Sequence, residues 1–484
     1  MSFALSKAVD TLKVFLTNSS NLEARWDPNY YRCMGKFWNR MSECPYPIEQ
    51  LKKSLALVQY GISERAIEDA VGIPMLRMNN LQDDTWDISS LKYIEMKEEE
   101  KERFLLHQGD ILFNRTNSKE LVGKCCVFNL PGDYVFASYL IRVRVRAGTL
   151  REDYVTAFLS SELGRIQIDA VSRQIAGMTN INAEEIKDLL IPRLDDGTQS
   201  LVVDIWKAAI RRRDETIETA KGILAGIDDI LLDELGIPRK PAPPNTLESR
   251  IFQSSSTDFT GRRWDPLFHQ ADVFAFVRDA NSKLIKLGHL VNYFNTGFPA
   301  GRGDQADKDD GGVIHIRPTN MSSDRELIFN RNVYIDPVEL KARKADVLKR
   351  REVLFNNTNS QEQVGKTVWF DLEGDYFSSN HITRIGTKSA ELDPQYLAYI
   401  LNLYQRKKAF FKLCTNWNNQ SGVGSDILQH IPIPVPNPAR QAEIVNRLEV
   451  EREKAQSLRE QAIADLEKAK RDIEALILGK EAAQ

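Results

Sequence analysis

Two hydrophobic rhythms alternate along this chain. In Lys124 to Phe128, Tyr134 to Val145, Val364 to Phe370 and Tyr376 to Ile385, β-branched and aromatic residues alternate with polar ones. Gly-Asp turns at Pro131-Gly132-Asp133 and Glu373-Gly374-Asp375 bound them, and this pattern predicts half-buried strands. The second rhythm has a period of seven. Residues 198–235 carry Ile210, Ile217, Leu224 and Leu231 in one row, with Trp206, Ala220 and Ile227 beside it. Residues 439–478 carry Leu448, Ala455, Ala462, Ala469 and Leu476, supported by Leu458, Leu466 and Ile473. Sustained heptads predict two long helices, and the alanine row suits close approach of a bulkier row on a partner. Shorter helices are expected at Tyr154 to Leu159 and Tyr396 to Leu401, and an amphipathic helix within residues 1–22 on Phe3, Leu5, Val9, Leu12, Phe15 and Leu16.

The pattern occurs twice. Ile111 to Phe128 reads ILFNRTNSKELVGKCCVF, and Val353 to Phe370 reads VLFNNTNSQEQVGKTVWF, displaced by 353 − 111 = 242 and identical at 11 of 18 positions. Arg25-Trp26-Asp27-Pro28 is answered by Arg263-Trp264-Asp265-Pro266 at 238, and Ile73 to Asn80 by Val313 to Asn320 at 240. At 242 follow Gly132/Gly374, Arg142/Arg384, Tyr154/Tyr396 and Ile191-Pro192/Ile433-Pro434. A repeat this long is a duplicated folded domain, not a solenoid unit. The expected class is α+β: two similar domains, each a twisted, mainly antiparallel sheet plus helices, separated by two long helices paired as an antiparallel coiled coil. The expected bounds are 1–197 for the first domain, 198–236 for the first helix, 237–260 for a proline-rich linker, 261–438 for the second domain and 439–480 for the second helix. A helix of about 38 residues is roughly 57 Å long, enough to act as a spacer.

Composition changes this picture little. Hydrophobic residues at 42% and charged residues at 27% describe an ordinary globular chain, and the net charge of −3 argues against a broadly basic nucleic-acid footprint. Local basic clusters stand at Arg142/Arg144/Arg146, Arg211 to Arg213, Lys341 to Lys344, Lys349 to Arg351 and Arg406 to Lys408. The five cysteines form no CxxC pair and the six histidines no HxxxH, so neither zinc nor a disulfide framework is expected. Polar Lys7, Asp10 and Lys13 interrupt the first apolar stretch, and no run approaches a membrane span. The expected location is cytoplasmic.

Catalytic signatures are missing. No Walker A sequence occurs, and Gly297-Phe-Pro-Ala-Gly301-Arg-Gly303 reads as a loop. The acidic Asp304 to Gly312 stretch breaks the calcium-loop pattern at Gly311 and Pro318. What repeats is readout chemistry. Arg115, Thr116, Asn117 and Ser118, and their counterparts Asn357, Thr358, Asn359 and Ser360, place donors and acceptors directly after an apolar strand. Asn and Arg suit the edges of adenine and guanine, although Asn, Thr and Ser also cap helices and build turns. Further candidates are Arg77 and Asn80, Arg317 and Asn320, and Lys124 and Lys366. Two polar loops that differ from each other complete the set: Arg173, Gln174, Thr179 and Asn180 in the first copy, and Asn416, Asn418, Asn419 and Gln420, beside Trp417, in the second.

In the order of these features, and in their duplication, the chain resembles the specificity subunits of Type I restriction–modification systems. The resemblance rests on the paired Arg-Trp-Asp-Pro starts, the Gly109-Asp-Ile-Leu-Phe-Asn-Arg-Thr and Glu352-Val-Leu-Phe-Asn-Asn-Thr segments, the Ile191-Pro and Ile431-Pro-Ile-Pro434 stretches, and the aligned Gln199 and Gln441. Arg351-Glu352 replaces Gly109-Asp110, which puts that turn in question in the second copy. The resemblance implies two target-recognition domains, each reading one half of a bipartite, asymmetric site in double-stranded DNA. It implies that the helices set the spacer and dock two methyltransferase subunits, with motor–nuclease subunits joining. S-adenosylmethionine, ATP and Mg would then belong to partner subunits, with no cofactor, metal or catalysis in this chain. The competing classes are a coiled-coil protein adaptor without DNA binding, and the specificity part of a fused methyltransferase or nuclease.

Overall fold

The computed structural model describes residues 26–82, 84–175, 178–239, 246–253, 255, 268, 273–301, 305–306, 311–418 and 420–480. The expected helix in residues 1–22, the second Arg-Trp-Asp-Pro and most of the linker lie outside them. The chain divides into two compact units, Met1–Ile217 with Arg459–Gln484, and Glu218–Leu458. The division falls inside the two long helices, so each unit holds part of both.

In the first unit, Asp27 caps the helix Pro28–Met41 by accepting from the Asn29 amide at 3.0 Å, with Pro28 at the first helical position. A four-stranded antiparallel sheet follows, in the order Leu55–Tyr60, Leu140–Val145, Ile111–Asn114, Cys125–Val127. Ile111–Asn114 is buried along its whole length, which is why it reads as an unbroken apolar run rather than an alternating one. A second sheet sets Ile73–Leu76 between antiparallel Lys92–Ile94 and parallel Val135–Phe136. The helices Glu152–Ser160 and Glu162–Val171 contribute Tyr154, Phe158, Leu163 and Ile168 to the core.

The second unit repeats this order. Its four-stranded sheet runs Val291–Thr296, Ile382–Thr387, Glu352–Asn356, Thr367–Phe370. Val313–Ile316 again pairs in parallel, with Tyr376–Ser378. Even the irregularity in the first strand recurs, at Leu55/Leu57 and Val291/Tyr293. Ile48 pairs with Pro192 and Leu284 with Pro434, an offset of 284 − 48 = 236. The displacement therefore dips below 238 before it climbs, where the sequence suggested a steady rise.

The long helices are Asp196–Glu234 and Pro438–Ile477. In the first unit the start of one meets the end of the other: Trp206, Ala209 and Ile210 share a core with Leu466, Ala469, Ile473 and Ile477. In the second unit the relation inverts, and Leu224, Ile227 and Leu231 share a core with Ile444, Leu448 and Ala455. This is antiparallel pairing, the expected arrangement. Within the rows, Ile217, Leu458 and Leu476 are only half-buried, and Ile473 and Ile477 take over at the end. Each fully buried Leu or Ile contributes about 1.5–3 kcal/mol.

Buried polar groups explain several repeated residues. The Gln199 carbonyl accepts from the Arg151 amide at 2.9 Å and its Nε2 donates to the Leu194 carbonyl at 2.9 Å. Gln441 does the same with the Asp393 amide at 2.8 Å and the Pro436 and Glu391 carbonyls at 2.9 Å. The hydroxyls of Tyr154 and Tyr396 donate to the carbonyls of Pro192 and Pro434, at 2.8 and 2.7 Å. These glutamines and tyrosines join each domain to the start of its helix.

Arg142, Arg213 and Arg384 are buried framework, while Arg350 and Arg351 stand in exposed pairs. Arg142 is buried and donates to the Leu105 and Arg103 carbonyls at 2.6 and 2.9 Å, while Arg144 pairs with Asp110 at 2.6 Å. Arg384 forms a fork on Glu352 at 2.8 and 3.1 Å, both side chains 2% exposed. Arg350 and Arg351 pair with Asp371 and Asp393, Arg406 with Asp228, and buried Arg213 with Asp214. An ion pair closed within the fold has little charge left for a phosphate. The turn at Arg351 survives its missing glycine: Gly109 has φ +88° and Arg351 φ +67°, and both amides donate to the equivalent Phe128 and Phe370 carbonyls.

One loop tip in each unit docks on the first long helix. Asp84, at φ +59°, accepts from the Trp206 indole. Arg325, at φ +67°, is buried against Asp228.

Candidate nucleic-acid interface

The repeated block bends out of the central sheet strand. After Asn114 the chain forms the short strand Thr116–Asn117, turns at Ser118 to Val122, and returns through Gly123, whose amide donates to the Asn114 carbonyl at 2.8 Å. Thr358–Asn359 and Gly365 repeat this, with a 2.9 Å bond to Asn356. Both glycines need positive φ, +85° and +91°. A Cβ would fall 2.6 Å from Ile168 Cγ2 at Gly123 and 2.2 Å from Phe410 Cδ2 at Gly365. The glycine is there because a helix of the same domain presses on the turn.

Each short strand is the edge of a three-stranded sheet completed by a hairpin distant in sequence. In the first unit Arg173–Ile175 pairs with Met178–Asn180, which pairs with Thr116–Asn117. In the second, Thr415–Trp417 pairs with Gln420–Gly422, which pairs with Thr358–Asn359. The registers correspond, with Thr179 opposite Asn117 and Ser421 opposite Asn359. The two sets of predicted residues, block and polar loop, thus converge on one small sheet in each unit.

Side-chain positions separate the candidates. Asn80 and Asn320 are corrected to framework: they are 3% and 1% exposed, and their carbonyls accept from the Arg77 and Arg317 amides at 3.0 and 2.9 Å. Their amide nitrogens are held by the Asp87 and Ser90 carbonyls in one unit and by Ile328 and Asn332 in the other. Arg77 and Arg317 are half-buried beside them. Thr116 and Thr179 are buried, and the Thr116 hydroxyl donates to Asn180 at 2.7 Å. Asn117 and Asn359 each turn inward to accept from the next amide, of Ser118 and Ser360, at 2.8 Å. Asn357 donates to the Asn380 carbonyl and the Thr383 hydroxyl and accepts from Thr358. Lys366 is half-buried. It lines a groove with Lys221, Leu224 and Arg406, and burial lowers its pKa against the pull of Asp324. Lys124 is half-buried.

What remains open to solvent is concentrated on the hairpins: Arg173, which pairs with Glu185 at 2.9 Å, and Gln174 in the first unit, with Asn416, Asn418 and Gln420 in the second. Ser118 and Ser360 are exposed at the block's turn. Asn419 lies outside the described residues. Trp417 is 46% exposed and lies across Gly422, where a Cβ would meet its Cη2 at 2.3 Å.

Sequence reasoning passed over a third segment. Arg115 stacks on the Tyr60 ring at 4.9 Å, and its amide donates to the Tyr139 carbonyl at 3.0 Å. In the second unit the Asn357 amide donates to His381 at 3.0 Å. Tyr60 and Tyr139 are exposed. The available signal was Ser138-Tyr139 against Asn380-His381: unlike polar and aromatic residues at one offset inside the runs Tyr134 to Val145 and Tyr376 to Ile385. Among the described residues, no cluster of His, Cys, Asp or Glu could hold a metal ion, and no helix is long and apolar enough to cross a membrane.

The chain is similar in sequence to several known proteins. The sequence profile of the Type I restriction modification DNA specificity domain matches residues 281–468. The chain is 25% identical over 149 residues to a putative type I restriction enzyme MjaX specificity subunit of Methanocaldococcus jannaschii, covering 30% of this chain and 35% of that one. It is 29% identical over 140 residues to the EcoKI specificity subunit of Escherichia coli K12, covering 28% and 30%. These two alignments therefore span about a third of those relatives' length. A longer match, 20% identical, covers 78% of this chain and 74% of the StySPI specificity subunit of Salmonella potsdam. A solved structure described as the basis of complex assembly and conformational transition of the type I R-M system matches with a TM-score of 0.47 at 14% identity, covering 90% of this chain and 97% of that one. Residues 281–468 match the Type I restriction modification DNA specificity domain, and the chain, which builds that unit twice, is similar to type I specificity subunits.

Proposed function

We propose that this chain is the DNA-recognition subunit of a Type I restriction–modification complex, each unit reading one half of a bipartite, asymmetric target. The observation that carries this reading is the pair of small sheets. They share topology and register, yet they present different exposed side chains to solvent. A single chain with two unlike copies reads an asymmetric two-part sequence, which a symmetric homodimer does not. The long helices set the unread spacer and dock methyltransferase subunits, and the motor–nuclease subunits join them. The chain itself makes no bonds: S-adenosylmethionine, ATP and Mg reside on those partners in the cytoplasm. Modest charge fits this division of labour, because partners supply much of the phosphate-binding surface.

The test is exchange of residues 25–190 for the corresponding domain of another specificity subunit, followed by mapping of methylated adenines in cells carrying the complete system. One half of the target should change and the other persist. A change in both halves, or in neither, refutes the modular reading, and a complex without sequence-specific DNA binding returns the chain to the adaptor class.

A further inference from the structure

The repeat can be used as an internal control, because it separates what the fold needs from what the task needs. In the block, 11 of 18 positions are identical, and Asn114, Thr116 and Asn356 are buried while Asn117, Asn357 and Asn359 are spent on bonds to their own loop. At the same offset of 242, residues 173–180 read RQIAGMTN and residues 415–422 read TNWNNQSG, with no position identical. Yet these hairpins pair in one register: Arg173 with Asn180 and Thr415 with Gly422, Ile175 with Met178 and Trp417 with Gln420. Backbone ladders set a register without regard to most side chains. The hairpin side chains therefore differ at every position on one shared ladder, while the block that anchors them keeps most of its residues.

We propose that the two hairpins, rather than the repeated block, determine which bases each unit reads. This rests on the DNA-recognition reading above. A two-stranded ribbon fits the major groove, and the exposed residues define what each ribbon asks for. Gln174 offers an amide for adenine N6/N7, and Arg173, exposed and now paired with Glu185, offers a fork for guanine O6/N7 once it exchanges that carboxylate for the base. The second hairpin carries no Arg or Lys. It offers the Gln420 and Asn416 amides beside the half-exposed Trp417. Part of Asn416 is already used, since its carbonyl accepts from Ser421 at 2.6 Å. Its amide nitrogen, Gln420 and the apolar indole suit adenine and the thymine methyl group. The first half-site therefore contains a hairpin-read guanine, and the pairs read by the second hairpin are A·T.

The experiment selects bound sequences from a randomised duplex pool, using the full chain with its methyltransferase subunits. Replacing residues 173–180 by the 415–422 sequence should convert the first half of the selected target and leave the second half as it was. Because a graft can misfold, Gln174→Ala and Gln420→Ala, both at exposed positions, are run beside it. Each should lower the preference at one base pair about tenfold or more, in opposite halves of the target. The proposal is overturned if the point variants select the wild-type sequence in both halves, or if the position relaxed by Gln420→Ala is a G·C pair. A wild-type complex that selects no two-part sequence refutes the DNA-recognition reading, and this inference with it.

Discussion

Asp84 offers a measurement of how firmly the first domain grips its helix. The carboxyl is closed off from water between its own loop and Trp206, and burial raises it from 3.8 to about 7. The indole N–H and the positive charges of Arg213 and Lys207 pull the other way, and Asp153 adds to the rise. A folded-state value above the unfolded one means that the folded chain holds a proton the unfolded chain has lost. The stabilisation is complete below about pH 4 and disappears as pH rises through about 7. The whole interval, at 1.36 kcal/mol per pH unit, is worth on the order of 4 kcal/mol. Asp84→Asn keeps a carbonyl for the indole and removes the charge. The variant should therefore gain on the wild type as pH rises, by about 2 kcal/mol between about pH 5 and pH 7, and the gap should level off above about pH 8. Urea unfolding of both proteins across this range, followed by tryptophan fluorescence, measures the difference directly. Parallel stability profiles for the two proteins would refute the reasoning, because every other titrating group is common to both.

Three further outcomes test the packing. Arg384→Met leaves Glu352 buried without its fork and should cost about 3–5 kcal/mol in urea unfolding of the second unit, whereas Arg350→Met at an exposed pair should cost under about 1 kcal/mol. Gly365→Ala forces a Cβ to 2.2 Å from Phe410 at φ +91° and should destabilise by about 2–5 kcal/mol, while Gly148→Ala, with open space around it, should cost only the backbone strain of about 1–2 kcal/mol. Ala455→Leu overfills a fully buried site between the long helices and should lower stability by about 1–3 kcal/mol, seen as an earlier thermal transition.

The sequence alone determined the architecture, because its signals are local or self-referential. Period-two and period-seven rows report burial directly, and a segment repeated at one offset reports a repeated fold whatever that fold is. That the two helices pair was also legible, since an alanine row needs a bulky row opposite. The helix Pro28–Met41 could have been read from Asp27-Pro28 by its capping chemistry.

Composition gave little guidance to which polar residues face outward, because a hydrogen-bonding side chain looks the same in sequence whether it serves a turn or a ligand. Asn80 and Asn320 are spent on their own loops, and Arg142 and Arg384 on buried carboxylates and carbonyls. Only the tertiary structure brought Arg173–Ile175 and Met178–Asn180 alongside Thr116–Asn117. Strand pairing across so many residues depends on loop closure and backbone registry, neither of which leaves a mark on the identities of the side chains it brings together.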